Sequence, residues 1–139
     1  MQKTICFLRV IHNSDRTIHH YCGYVGISNE NVSVINDELL KIMDDETKEW
    51  LEYDAIASKL SVHGGITFNG SWSKNTTIIP ISNIPDNWHE YTYYGFDLNH
   101  YSDDVNCVST DFKYAVKETI AMQKQIEELI AQYVTSTGD

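Results

Sequence analysis

The sequence predicts an α+β fold in which an antiparallel sheet of about five strands packs against one long C-terminal helix, with one or two short helices inserted. Strand-like segments rich in β-branched and aromatic residues recur along most of the chain. The last part of the chain instead repeats its apolar residues at helical spacing. With 42% hydrophobic residues and two prolines in 139 residues, the composition suits one domain covering residues 1–139.

The predicted strands are short apolar segments separated by polar turn clusters. The first two form a hairpin around His12-Asn13-Ser14-Asp15. The strands are predicted at residues 3–11, 17–28, 61–69, 76–81 and 91–98. Charged residues with apolar neighbours in roughly helical spacing predict one or two short helices within residues 37–60. Residues 99–108 are predicted to be a polar loop.

The C-terminal helix has the clearest pattern. Its apolar stripe consists of Phe112, Val116, Thr119, Ile120, Gln123, Ile126, Ile130 and Tyr133. Ser109 or Thr110 is predicted to cap its start, and Gly138 lies past its end. The residues expected beneath it are Ile66, Phe68, Phe96 and Leu98. A helix this long can also present a second stripe to another subunit, so we expect a homo-oligomer.

Charge and cysteine content exclude several classes of function. Twenty acidic and ten basic residues give a formal net charge of −10, which argues against direct nucleic-acid binding. No apolar run has the length of a membrane span, and the N-terminus lacks a signal-peptide cleavage pattern. Three separated cysteines, Cys6, Cys22 and Cys107, include no CxxC pair and indicate free thiols. We therefore expect a cytoplasmic protein.

Two glycine-containing segments predict a pocket on the sheet face opposite the helix. Alternation puts His63 on that face in one segment, and Tyr93, Gly95 and Asp97 there in another. Glycine inside a strand often marks close approach of another group to the backbone. The predicted ligand-binding residues are His63, Gly64, Gly65, Tyr93, Gly95, Asp97 and His100.

Several chemistries suit such a pocket. Asp97 could orient His63 or His100 for proton transfer, or the three could ligate a metal with Asp103 or Asp104. Glycine amides and tyrosine rings could equally clasp a flat polar ligand. His63 could also simply hydrogen-bond a bulged backbone while Asp97 caps a turn. GxSxG, Walker, GxGxxG and HExxH motifs are absent, which favours a binding protein without a cofactor over an enzyme.

Three motifs resemble those of a group of small bacteriophage and prophage proteins. They are Cys22-Gly23-Tyr24-Val25-Gly26, then Val62-His63-Gly64-Gly65-Ile66-Thr67-Phe68, then Gly95-Phe96-Asp97 with His100. The family pattern runs CGYVG, VHGGLT with an aromatic, and GFDxxH before an acidic loop, and the resemblance extends from about Tyr21 to Gln132. The chain departs from it in an acidic insertion, residues 38–52, and in Asn99, where a small residue is usual. The resemblance implies a phage accessory protein in the host cytoplasm.

The resulting expectation is a non-enzymatic anti-defence protein that sequesters a small nucleotide-derived immune signal. One alternative is an acidic inhibitor that mimics nucleic acid against a host defence nuclease. Its acidic face would consist of Asp37, Glu38, Asp44, Asp45, Glu46, Glu49, Glu52 and Asp54. The other alternative is a metal-dependent hydrolase built on His63, Asp97 and His100.

Overall fold

A computed structural model describes residues 4–43, 54–72 and 77–134 of the chain. Its five-stranded sheet is antiparallel at every pairing and has the strand order β3-β5-β2-β1-β4. The strands are β1 (Thr4–His12), β2 (Ile18–Ser28), β3 (Phe68–Gly70), β4 (Ile78–Pro80) and β5 (Tyr91–Asp97). The helices are α1 (Asn29–Ile42), α2 (Ala55–Ser58), α3 (Tyr101–Val105) and α4 (Phe112–Tyr133). The predicted α+β fold is therefore confirmed.

Helix α4 covers one face of the sheet. Its buried residues are Ala115, Thr119, Met122, Ile126 and Ile130. They join a core that includes Phe96 and Leu98, which confirms their predicted position on the helix side. Asp111 is the N-cap and accepts a hydrogen bond from the Tyr114 amide, so the predicted caps Ser109 and Thr110 are one or two residues too early. Gly138 lies outside the described residues.

Helix α1 begins as soon as β2 ends, earlier than predicted. The Ser28 hydroxyl accepts a hydrogen bond from the Asn31 amide, so the last strand residue is also the helix cap. Ile35 and Leu39 bury the inner face of the helix. Helix α2 is a single turn that Asp54 caps through the Ile56 amide. The remaining part of the predicted helical region, residues 44–53, lies outside the described residues.

The second face of the sheet carries a smaller aromatic core. Phe7 contacts Tyr24, Trp72 and Tyr93, and the Trp72 ring also contacts Trp88. The Tyr93 side chain is fully buried, and its hydroxyl donates to the Trp88 carbonyl. This face is therefore covered by the segment that surrounds β4 and is not an open surface.

Two predictions about residues 60–69 and one about residues 99–108 are wrong. Only Phe68–Gly70 is a strand, because Gly64 and Gly65 turn the chain with φ values of +68° and +84°. Phe68 lies away from α4: its ring contacts Tyr24, and 38% of the residue is exposed. Ile66, in contrast, packs against the core beneath the helix. The predicted polar loop contains the short helix α3.

Within residues 4–43, 54–72 and 77–134, no helix combines the length and apolar character that spanning a membrane requires.

Candidate functional site

His63 lies at the corner of a tight turn and points toward helix α4. The Gly65 amide donates to the Val62 carbonyl over 3.0 Å, and Gly64 has φ +68° at the third turn position, as a type II turn requires. The His63 Nδ1 atom is 2.7 Å from the Tyr114 hydroxyl oxygen on the first turn of α4. The prediction that His63 lies on the face opposite the helix is therefore wrong, because the Gly-Gly turn interrupts the alternation on which it depended.

His63 links a buried carboxylate to a tyrosine hydroxyl. Its Nε2 atom makes a short hydrogen bond with Asp103 Oδ1, and the Asp103 side chain is only 1% exposed. A carboxylate only accepts hydrogen bonds, so Nε2 carries the proton. In the neutral ring, Nδ1 must then accept the Tyr114 hydroxyl hydrogen. Both ring nitrogens are consequently used inside the protein.

Asp103 also anchors the loop that leads from β5 to α4. Its second carboxylate oxygen accepts from the His100 amide over 3.1 Å. The Asp103 amide donates to the His100 carbonyl, and the Asp103 carbonyl accepts from the Val108 amide. The loop is also fixed at both ends to Tyr21 of β2, which accepts from the Leu98 amide and donates to the Ser109 carbonyl. These bonds hold residues 98–109 as one closed unit against the sheet.

His100 and Asp97 complete the cluster. A Cβ atom on Gly64 would lie 2.3 Å from His100 Nε2, so the imidazole ring occupies the space that this glycine leaves free. His100 Nε2 is buried and has no hydrogen-bond partner in the part of the chain that the structure describes. Asp97 Oδ1 is 3.6 Å away, beyond hydrogen-bond distance, and accepts from the Asn99 amide.

A polar cavity of about 410 Å³ opens beside this loop. The β1–β2 turn, the start of β2, the end of β5 and the residues before α4 form its walls. The lining residues are Asn13, Ile18, His19, Asn99, Cys107, Ser109 and Thr110. None carries a fixed charge, although acidic residues outnumber basic ones two to one in the chain, 20 to 10. The cavity volume falls within the range typical of small-molecule sites, roughly 300–1,000 Å³.

The predicted site residues fall into two groups. His63, Gly64, Asp97 and His100 come together beside Asp103, whereas Tyr93 and Gly95 lie in the aromatic core on the other face. A Cβ atom on Gly95 would lie 2.6 Å from the Tyr24 ring, and one on Gly26 would lie 2.5 Å from the Tyr93 ring. The predicted glycine-floored pocket on that face is thus filled by the chain's own rings. Gly65 is exposed, and a Cβ there would have no neighbour within 4 Å.

Sequence reasoning missed Tyr114 and most of the cavity. Tyr114 lies 51 residues from His63 along the chain, on the flank of an otherwise amphipathic helix, and no local pattern pairs the two. The Gly64-Gly65 dipeptide was the available signal, because adjacent glycines favour a turn over a strand. A turn at Gly64-Gly65 implies that strand alternation does not determine the direction of the His63 side chain.

The arrangement resembles a nucleophile–base–orienter chain in its connectivity: hydroxyl, imidazole, carboxylate. Its electrostatics are less suited to nucleophilic attack. Desolvation, then the charges of Glu118 and Asp103, raise the pKa of the Tyr114 hydroxyl. The raised pKa disfavours the phenolate form of Tyr114, so its hydroxyl remains a hydrogen-bond donor to His63.

The side chains that the structure describes also do not favour a metal site. Among the described residues, no group of three or more His, Cys, Asp or Glu residues could hold a metal ion. His63, Asp97 and His100 therefore do not form such a set. The His19 and His20 Nδ1 atoms are 2.7 Å apart, but only His19 lines the cavity.

The predicted acidic face lies mainly outside the described residues, since five of its eight members fall within residues 44–53. Asp37 is exposed on α1, and Glu38 forms an exposed ion pair with Lys41. Asp54 has a structural role: it caps α2 and accepts a hydrogen bond from the buried Tyr94 hydroxyl. It is thus not a free surface charge.

No protein-family model, curated protein or solved structure matches this chain.

Proposed function

We propose that this chain is a non-enzymatic binding protein that captures a small nucleotide-derived ligand, and that it serves a bacteriophage against a host immune signal. The observation that carries the binding role is the 410 Å³ cavity with its neutral hydrogen-bonding lining. Ligand sites of this size fix their ligand by a few polar groups on a preformed wall. The phage context and the host cytoplasm come from the motif resemblance alone.

The motif residues support this proposal because they hold the loop from which Asn99, Cys107 and Ser109 line the cavity. The Asn99 backbone amide donates a hydrogen bond to the Asp97 carboxylate. The backbone amide of the next residue, His100, donates to the Asp103 carboxylate. His63 in turn holds Asp103. The VHGG and GFDxxH motifs therefore act together on the position of residues 98–109, although only Asn99 among them lines the cavity.

The test is to identify what the protein carries. The tagged full-length chain is purified from infected, defence-active cells, and its small molecules are released by heat and measured by mass spectrometry. We expect a nucleotide-derived compound in near-stoichiometric amount and chemically unchanged. Asn99→Ala should carry less than about a tenth of it. Because the wild type is nearly saturated, such a fall requires a loss of affinity greater than about tenfold, or more than about 1.4 kcal/mol.

Asn106→Ala is the matched control, because Asn106 is an exposed amide of the same loop that does not line the cavity. It should carry as much ligand as the wild type. An empty wild-type protein would contradict the proposal. Multiple-turnover loss of the compound at sub-stoichiometric protein would contradict the non-enzymatic part of it and favour an enzyme.

A further inference from the structure

The lining of the cavity disfavours a charged ligand group inside it. Phosphate recognition depends on Lys, Arg or free amides at a helix N-terminus, and no Lys or Arg lines this cavity. Thr110 lies one residue before the α4 N-cap, but the Asp111 carboxylate already accepts from the Tyr114 amide there. Its negative charge would repel a phosphate at that position.

The same lining suits an uncharged heterocyclic ring that carries neighbouring hydrogen-bond donors and acceptors. The amides of Asn13 and Asn99 and the hydroxyls of Ser109 and Thr110 each offer both functions. The Asn13 Nδ2 atom donates one of its two hydrogens to Thr17, which leaves the second hydrogen as a donor and the side-chain oxygen as an acceptor. Ile18, which is 38% exposed, adds an apolar surface of the kind that contacts a ring face.

The residue types also distinguish between bases. An asparagine side chain makes two hydrogen bonds with adenine, at N6 and N7. Guanine is usually recognised by Arg or Lys, and cytosine by Asp or Glu. Two asparagines line this cavity, and none of the other four types does.

We infer that the cavity binds the adenine base of a nucleoside and leaves the phosphates of any nucleotide ligand outside. This inference rests on the proposed function and names the part of the ligand that the site reads. The side-chain amide of Asn99 hydrogen-bonds the base, and the phosphates of the ligand remain in solvent.

Calorimetric titration of the full chain with separate compounds tests the inference. The probes are adenosine, AMP, guanosine, cytidine and ribose 5-phosphate. We expect adenosine and AMP to bind within about threefold of each other, and guanosine and cytidine at least about tenfold more weakly, because the paired contacts of an asparagine amide with the adenine edge are lost. Ribose 5-phosphate should give no measurable binding.

Each other result overturns the inference in a recognisable way. Binding of ribose 5-phosphate, or AMP far tighter than adenosine, would show that the phosphate is read. Equal affinity for all nucleosides would show that the base edge is not read. Where AMP or the nucleosides bind, the protein still takes a nucleotide-type ligand, so the proposed function stands. If no probe binds, the inference fails, and mass spectrometry of the carried compound decides the proposed function separately.

A thiol-protection assay locates the binding. Cys107 lines the cavity and is exposed, whereas Cys6 and Cys22 are buried. Adenosine should slow labelling of Cys107 by a bulky maleimide at least about fivefold in the wild type and the Asn106→Ala control. It should not do so in Asn99→Ala at the same concentration. Unchanged labelling at saturating adenosine would place the ligand elsewhere and overturn the assignment of the cavity.

Discussion

At the residue scale, the glycines of β2 and β5 make room for side chains of the core. Gly26 faces the Tyr93 ring, Gly95 faces the Tyr24 ring, and Gly23 faces Thr119 and Phe96. A side chain at any of these positions would meet atoms closer than 3.0 Å. The glycines are thus required by core packing, which is the physical reason why they do not indicate a ligand floor.

Gly95→Ala should therefore destabilise the protein by about 1–3 kcal/mol, because the Tyr24 ring and the nearby backbone of Gly23 cannot both accommodate a methyl group. Chemical denaturation followed by fluorescence measures the change. Gly70→Ala is the control: it lies in the adjacent strand β3, and its nearest contact would be 3.9 Å away. Its effect should stay within about 0.5 kcal/mol, and equal losses for both variants would contradict the packing explanation.

At the scale of elements, one histidine connects three segments that are distant in sequence. The turn that carries His63 is held to α3 through Asp103 and to α4 through Tyr114. Gln125 of α4 adds a second link, since its side chain accepts from the Ser61 amide and donates to the Ser61 carbonyl. The turn thereby becomes part of the structure that supports the cavity wall.

Removing the whole link should cost more than removing its hydroxyl end alone. His63→Ala leaves the 1% exposed Asp103 side chain without its imidazole partner, so we expect a loss of about 3 kcal/mol. Tyr114→Phe removes one hydrogen bond and should cost about 1 kcal/mol. Urea denaturation measures both, and the exposed His12→Ala serves as the control.

Hydrogen exchange gives a second readout for the same variants. Amides of residues 100–108 should lose protection in His63→Ala, because Asp103 anchors that segment. If the segment keeps wild-type protection while global stability falls, His63 supports the core and not the cavity wall.

At the scale of the whole molecule, a buried histidine makes stability depend on pH. Desolvation, and then the neighbouring His19, lower the pKa of His20 from its ordinary value, against the attraction of Asp97. The unfolded chain therefore binds more protons than the folded one in this range. The contribution of His20 to stability is fully present above the ordinary pKa of about 6.5 and declines as pH falls toward its folded-state pKa.

We expect the urea midpoint of the wild type to fall between pH 7.5 and pH 5.5, and to fall less in His20→Gln. The substitution keeps a polar side chain at this 8% exposed position without a titrating ring. Parallel pH profiles for the two proteins would show that His20 does not contribute to the dependence. The exposed His89→Gln should retain the wild-type profile.

We also predict a homo-oligomer, because a small ligand-capturing protein gains affinity by enclosing its ligand between subunits. Val105 in α3 and Phe112 at the start of α4 are large apolar residues, 63% and 44% exposed, and each lies two residues along the chain from a cavity-lining residue, Cys107 and Thr110. Light scattering at micromolar concentration measures the mass. A monomer of 16.0 kDa would contradict the prediction.

Local sequence patterns were sufficient to predict the regular elements. The alternation of Tyr94, Phe96 and Leu98 in β5 identified side chains of the main core. The helical stripe of α4 was right at Thr119, Ile126 and Ile130. It missed the buried Ala115 and Met122 and included Phe112, which is 44% exposed. These patterns are local, because each depends on residues within two or four positions of one another. The hairpin of β1 and β2 followed from the same rule and from its polar turn.

The positions of the motif residues, in contrast, depend on contacts between distant parts of the chain. Gly64 and Gly65, both with positive φ, turn the chain next to His63. The strand alternation does not continue through this turn, so the prediction put His63 on the wrong face of the sheet. His63 contacts Asp103 and Tyr114, which lie 40 and 51 residues away along the chain. No local sequence pattern predicts contacts over such separations. The cavity has the same origin: its walls come from a turn, two strand ends and a loop, which meet only because the sheet and the helix hold them there.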